Sequence, residues 1–282
     1  VRSNQLSYSA LYENYIPNFK PSYYSNIKKD NDQLNEVLTV VDEVNDENTI
    51  FFYASDHGIS GKWGVYEKGL RAPLVVRWPK NIQSGSRSDA LLSFVDIMPT
   101  ILDIAGITIP RDIDGKSFAK VFNDNNEKVN NYVYGVATKQ NVRDAKIFPS
   151  RSIRDEQFKY IVNFNSIEVY KNNYTDNDII NEFIEIGAKA FPNIPYEELY
   201  DLSIDPYEKN NIAGRNEYHN IKTKLNNQLR FWMKSQNDFV TEGKMPIIKP
   251  SLHPLDKKSQ WTKVPDHLVG KIKENQYIKS HY

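Results

Sequence analysis

The order of apolar and polar positions divides the chain into two textures. Between Tyr23 and Val44, Ile27, Leu34, Val37, Leu38 and Val41 return at mainly three- and four-residue intervals, the pattern of an amphipathic helix. Asn45-Asp46-Glu47-Asn48 breaks that pattern, and Thr49-Ile50-Phe51-Phe52-Tyr53-Ala54 is a continuous apolar, β-prone run that predicts a buried parallel strand. Leu74-Val75-Val76-Arg77-Trp78 predicts a second such strand, stopped by Pro79. Phe94 to Ala105 then repeats as a helix ended by Gly106. Helix, short turn and buried strand are α/β grammar, so residues 1–125 read as part of a doubly wound, mainly parallel sheet.

After the polar run Asn123 to Asn131, strands follow one another without long helices between them. Tyr132 to Ala137 and Arg151 to Phe164 are β-prone, and Ser152 to Ile161 reads as a hairpin with polar turn residues between its arms. Glu198 to Leu202 is another short strand, and Tyr218 to Lys234 places Ile221, Leu225, Leu229 and Trp232 on one helical face that should cover the small sheet. Residues 126–238 are thus expected to form a smaller antiparallel-sheet-plus-helix subdomain, and 239–282, lacking firm periodicity, a tail.

Composition narrows the function classes. Lys+Arg and Asp+Glu both number 36, so the chain lacks the basic footprint of a nucleic-acid binder. No stretch approaches the ~20 apolar residues of a membrane helix. Val1 to Gln5 shows no secretion signal, and the absence of cysteine excludes disulfides and thiolate chemistry within these residues. The 18 tyrosines suit packing or a sugar-binding cleft.

Candidate chemistry gathers after the first strand. Asp56 and His57 sit at its carboxyl end, where open α/β sheets collect ligands, and together offer an oxygen and a nitrogen to one divalent cation. Lys62, in a Gly-bracketed loop, could return an ammonium toward an anion held there. Glu67 and Arg71 are expected to brace that loop, with an ion pair as one way to do so. Arg143 and Arg151 are read as solvated edge residues, with contact to a polyanionic substrate as the alternative. His219, His253, His267 and His281 read as surface residues, and Asn173-Tyr174-Thr175 as a glycosylation sequon only in a secreting eukaryote.

The stretch from Thr49 to Pro79, TIFFYASDHGISGKWGVYEKGLRAPLVVRWP, resembles the sulfatase family of the alkaline phosphatase superfamily. Similar motifs follow in order: Asp96-Ile97-Met98-Pro99-Thr100-Ile101-Leu102 with Gly106, Asp114-Gly115-Lys116-Ser117, the Arg151 to Ile161 hairpin, Glu198-Leu199-Tyr200-Asp201-Leu202, and Asp205 to Ala213. The wording around Arg151 to Asn165 is similar to the bacterial sulfamidase-like and polysaccharide-sulfatase branches.

This resemblance implies the C-terminal part of a sulfuric ester hydrolase acting on a sulfated carbohydrate. It implies that Asp56 and His57 are metal ligands, for Ca2+ with Mg2+ or Mn2+ as alternatives, and that Lys62 contacts the sulfate. The family's nucleophile is a formylglycine made from Cys or Ser in a Cys/Ser-x-Pro-x-Arg motif. Ile147-Phe148-Pro149-Ser150-Arg151 only imitates it, because an isoleucine cannot become an aldehyde. The nucleophile and the remaining metal ligands are therefore expected from a missing N-terminal half, without which this chain should be inactive. The alternatives are a phosphonate- or phosphodiester-type hydrolase of the same superfamily and a non-catalytic truncated remnant. A periplasmic or extracellular location is what the family implies.

Overall fold

The computed structural model describes residues 21–44, 48–58, 64–141, 146–172, 188–189, 191–242, 247–248 and 277–278. The chain packs as two units, residues 1–62 with 67–133, and residues 63–66 with 134–282.

The first unit begins with helix α1 (Pro21–Glu43), whose partly buried stripe is Leu34, Leu38 and Val41. Strand β1 (Phe51–Ala54), the single-turn helix α2 (Glu67–Leu70) and strand β2 (Leu74–Arg77) follow. β1 and β2 pair antiparallel, Phe51 opposite Arg77 and Ala54 opposite Leu74, which corrects the expectation that the second apolar run is also parallel. An apolar run carries no mark of strand direction, and the four residues of α2 are too few for the covering crossover that parallel neighbours use. Both strands are half-buried. Arg77 at the end of β2 pairs with Asp42 of α1, tying helix to strand.

Helix α3 (Ile97–Ile104) is preceded by a 3-10 turn at Phe94–Asp96, and Asp96 explains both. Its carboxylate is 2 % exposed and accepts from Ser93 N at 2.8 Å, Lys116 N at 2.8 Å and Asn130 Nδ2 at 2.8 Å. Thr100 Oγ1, one turn on, donates to Asp96 O and accepts from Phe118 N at 2.9 Å. Gly106 ends the helix at φ +68°, a left-handed cap that a residue with a Cβ would resist.

The second unit is a four-stranded sheet in the order β3 (Val133–Asn141), β4 (Lys146–Arg154), β5 (Phe158–Asn163), β6 (Glu197–Asp201). β4–β5 and β5–β6 are antiparallel, as the hairpin pattern requires. The short helix α4 (Ile167–Asn172) follows β5, and helix α5 (His219–Ser235) packs on β4 and β5. The register divides the sheet into two unlike faces.

One face carries Arg151, Ile153, Tyr160, Val162, Glu197 and Leu199. Leu225, Leu229 and Met233 of α5 are fully buried, Lys222 pairs with Glu197 at 3.0 Å, and Trp232 stacks on Tyr134 at 4.3 Å. Arg151 departs from both sequence readings, for it is 1 % exposed rather than solvated or substrate-facing. Its Nε and Nη2 grip Asp238 at 2.5 and 3.0 Å, and Nη1 donates to the carbonyls of Ala137 and Ser150 at 3.1 and 3.0 Å. The alternation of a strand placed this residue inward, and a guanidinium is buried only where its fork is matched. Of the tail, the 3-10 turn Phe239–Glu242 is described, with Val240 buried, and Ile247–Ile248 (β7) pairs in parallel with Tyr277–Ile278 (β8).

The other face is polar yet buried. It carries Ser150, Ser152 and Arg154 of β4, Lys159, Ile161 and Asn163 of β5, and Glu198 and Tyr200 of β6. Lys159, 1 % exposed, meets Glu208 at 3.1 Å. Glu198, 3 % exposed, accepts from Asn163 Nδ2 at 2.7 Å, from the Tyr200 hydroxyl, and from the Tyr66 hydroxyl at 2.9 and 3.0 Å. Asn163 is held in turn by Ser150 Oγ at 2.7 Å and by the carbonyl of Pro195 at 2.9 Å. Val65, Ala137, Ile161 and Tyr200 form the apolar cluster beside this network.

Two outcomes follow from these faces. Asp238→Ala strands the Arg151 guanidinium and should cost about 3–5 kcal/mol, read as a lower urea midpoint; a loss under about 1 kcal/mol would mean that water reaches the pair. The second concerns alkali. Burial first, then the Glu198 carboxylate, raises the hydroxyls of Tyr66 and Tyr200 above their ordinary 10.0, and burial with the Glu197 hydrogen bond does so for Tyr160. The folded state keeps three protons that the unfolded chain sheds, so stability is full below pH 10.0 and falls as pH rises past it. The slope is about 1.4 kcal/mol per pH unit for each tyrosine, and Tyr200→Phe should remove one proton's worth from an alkaline unfolding series.

Candidate active site

β1 delivers the chain to a tight turn. Ser55 N donates to Pro73 O at 3.3 Å, one step beyond the ladder, and Ser55 Oγ donates to His57 O at 2.6 Å. Gly58 N then donates to Gly69 O at 2.7 Å, closing the base of the loop from 58 to 69. A Cβ on Gly58 would lie 2.5 Å from Lys68 O and 3.1 Å from Arg71 O, so no other residue allows this approach.

The turn brings Asp56 and His57 side by side. His57 Nδ1 lies 2.6 Å from Gly58 O. A carbonyl oxygen only accepts, so Nδ1 carries the proton and the imidazole lone pair sits on Nε2. Nε2 is 3.7 Å from Asp56 Oδ1, and the two side chains are 33 % and 73 % exposed. An oxygen and a nitrogen at this separation can share a divalent cation about 2.0–2.6 Å from each, and a carbonyl on the far ring nitrogen is the usual support of a metal-bound imidazole. The donor set fits such an ion. Among the described residues no third His, Asp or Glu joins the pair, whereas a calcium ion takes about 6–8 ligands.

Lys62 lies outside the described residues, as do Arg143, the sequon 173–175, His253, His267 and His281. His219 is exposed at the first position of α5. Glu67 is buried and Arg71 exposed, and the link between them is a backbone one, Arg71 N to Glu67 O at 2.8 Å. The Pro-Ser-Arg imitation lies within β4, with Pro149, Ser150 and Arg151 all buried.

The acids of the downstream motifs are spent on backbone and side-chain donors. Asp201 accepts from Ser203 N at 3.0 Å, Ser203 Oγ at 2.5 Å and Gln157 Nε2 at 2.9 Å. Burial raises its carboxyl, but these bonds outweigh it and hold the group below its ordinary value. Asp205 accepts from Lys209 N and Asn210 N at 2.9 and 2.8 Å, and Asn211 Oδ1 accepts from Leu199 N and Ala213 N at 3.0 and 2.9 Å. The residue that sequence reading missed is Glu198, read only as part of a strand. Its signal was an acid sharing one strand face with Tyr200 in Glu-Leu-Tyr-Asp-Leu, a position where a buried sheet ordinarily carries an apolar side chain.

Residues 55–184 match the family described as N-sulphoglucosamine sulphohydrolase, C-terminal. The chain is 46% identical over 264 residues to an ulvan-active sulfatase of Formosa agariphila, a match covering 92% of this chain and 53% of that protein. It is 27% identical over 257 residues to an N-acetylglucosamine-6-O-sulfatase of Bacteroides thetaiotaomicron, covering 88% of this chain and 41% of the other. Among solved structures, one in complex with its substrate D-glucosamine-2-N,6-O-disulfate superposes with a TM-score of 0.59 at 28% identity, covering 73% of this chain and 39% of that one. The chain therefore spans about half the length of the curated relatives it matches. The turn that pairs Asp56 with the Nε2 lone pair of His57 is thus set in a chain that is similar to the C-terminal part of sulfatases.

Proposed function

We propose that this chain forms part of a sulfuric ester hydrolase that removes sulfate from a sulfated carbohydrate outside the cytoplasm. The observation that carries the reading is the Asp56–His57 pair: an exposed carboxylate beside an imidazole whose tautomer is fixed by Gly58 O, at the carboxyl end of β1. In this reading Asp56 and His57 hold a divalent cation, calcium, and Lys62 adds its ammonium to the sulfate. The cation supplies positive charge against the sulfuryl oxygens, where charge grows in the transition state. Asp56 contributes a negative hard oxygen, and His57 a neutral nitrogen whose direction the Gly58 carbonyl fixes. These 282 residues hold no Cys/Ser-x-Pro-x-Arg, so the formylglycine comes from sequence outside them. Support for a carbohydrate substrate comes from the 46% identity to an ulvan-active sulfatase and from the likeness to a protein bound to a glucosamine disulfate.

The test uses the full-length gene product with calcium and a panel of ulvan fragments, glucosamine 6-sulfate and N-sulfoglucosamine, with released sulfate as the readout. Asp56→Asn and His57→Ala should each lower release by roughly 100-fold, and chelation should abolish it until calcium returns. Unchanged release in both variants would remove the pair from the site. Hydrolysis of phosphonate or phosphodiester substrates with no sulfate released from any glycan would replace the sulfate reading.

A further inference from the structure

We infer that the outward face of α5 is a second carbohydrate-binding site, whose ligand is a sulfated polysaccharide chain held by Lys224, Phe231 and Lys234. The inference rests on the reading above that the substrate is a sulfated carbohydrate, and adds to it a surface made wholly by the second unit.

Asn220, Lys224, Asn227, Phe231 and Lys234 alternate steps of four and three residues, so they form one stripe along the helix, opposite the buried Leu225, Leu229 and Met233. All five are exposed, and Phe231 is 71 % exposed. From Lys224 to Lys234 the stripe runs about 15 Å, the length of an oligosaccharide rather than of one sugar. The residues beside Phe231 are tied to the sheet. Trp232 stacks on Tyr134 at 4.3 Å, while Arg230 lies over the Phe164 ring at 5.0 Å and donates to the Tyr196 hydroxyl at 3.0 Å. The platform is therefore held in place before any ligand arrives, which lowers the entropy cost of binding.

Charge names the occupant. In a chain whose acids and bases balance at 36 each, α5 carries Lys222, Lys224, Arg230 and Lys234 and neither Asp nor Glu. Lys222 is engaged by Glu197, whereas Lys224 and Lys234 stand exposed on the stripe. An acid-free face with two ammoniums complements a polyanion. Phe231 offers an apolar surface to the C–H face of a sugar ring, and the amides of Asn220 and Asn227 can donate to and accept from hydroxyls. A nucleic acid asks for a denser basic surface than two ammoniums in a chain of zero net charge. Each contact is weak in water, and a polymer that presents many copies of one repeat turns weak contacts into retention.

The experiment is affinity electrophoresis of the full-length protein in gels containing ulvan, ulvan stripped of its sulfate, or duplex DNA, with calcium chelated so that the polymer is not consumed. Ulvan should retard the wild type, and the desulfated polymer should do so far less. Phe231→Ala, and Lys224→Glu with Lys234→Glu, should each weaken retention by ulvan about five- to tenfold. Lys116→Glu with Lys120→Glu, two exposed lysines of the first unit, makes the same change in net charge and should stay within about twofold. Unchanged retention in both α5 variants, an equal loss in the control pair, or a wild type that ulvan does not retard would overturn the inference. Equal retention by the desulfated polymer would do the same, and DNA binding at least as tight with the same dependence on α5 would give the face to nucleic acid instead. If Phe231→Ala does not fold, the lysine pair is judged alone. Sulfate release by the wild type reports on the enzyme reading separately: release without any loss of retention in the α5 variants sinks this inference alone, and retention that depends on α5 without release sinks the enzyme reading alone.

Discussion

A carboxylate taken out of water has to find donors for its oxygens, and each unit of this chain is organised around one that does. In the first, Asp96 gathers Ser93, Lys116 and Asn130, and the backbone around α3 and the 3-10 turn before it is fixed by those bonds. In the second, Glu198 gathers Tyr66, Asn163 and Tyr200 on the polar face of the sheet. Most of these partners are distant in sequence. The carboxylates therefore act as tertiary anchors, and they specify which loop lies where more narrowly than apolar contact could, since a hydrogen bond has a direction and a methyl contact does not.

Periodicity carried most of the fold. The helices around Leu34 and Leu225, the hairpin of β4 and β5, and the glycine stop at Gly106 all follow from spacings that a single sequence displays. Strand direction did not follow, because the apolar run Leu74 to Arg77 would look the same either way; what decides it is the connection, and α2 is one turn long. Arg151 was illegible for a different reason. Its residue type argues for the surface, and only the alternation of β4 together with Asp238, 87 positions away, makes an inward guanidinium tolerable.

The candidate site was legible in its residue types but not in its electronics. Asp-His after an apolar strand suggests a ligand pair, while the tautomer of His57 depends on a 2.6 Å contact with the next residue's carbonyl that no spacing announces. Gly58 shows the same division. A glycine after Asp-His could have served any turn, whereas the close approach of the Lys68 and Arg71 carbonyls leaves hydrogen as the one side chain that fits.

Acidic residues recur through the family-like motifs, and their surroundings sort them by what is left for them to bind. Asp96 and Asp205 spend their oxygens chiefly on backbone N–H groups at turns, and Asp201 divides its own between Ser203 N and the side chains of Ser203 and Gln157, which leaves each little affinity for a cation. Asp56 is 73 % exposed and turned toward the side of an imidazole that bears its lone pair. Glu198 belongs to neither class, for its oxygens meet side-chain donors, one of them on the segment that follows the Gly-Lys loop. A backbone-capping acid shapes only its own turn. An acid that accepts from the Tyr66 side chain, 132 positions away, holds that segment against the sheet instead.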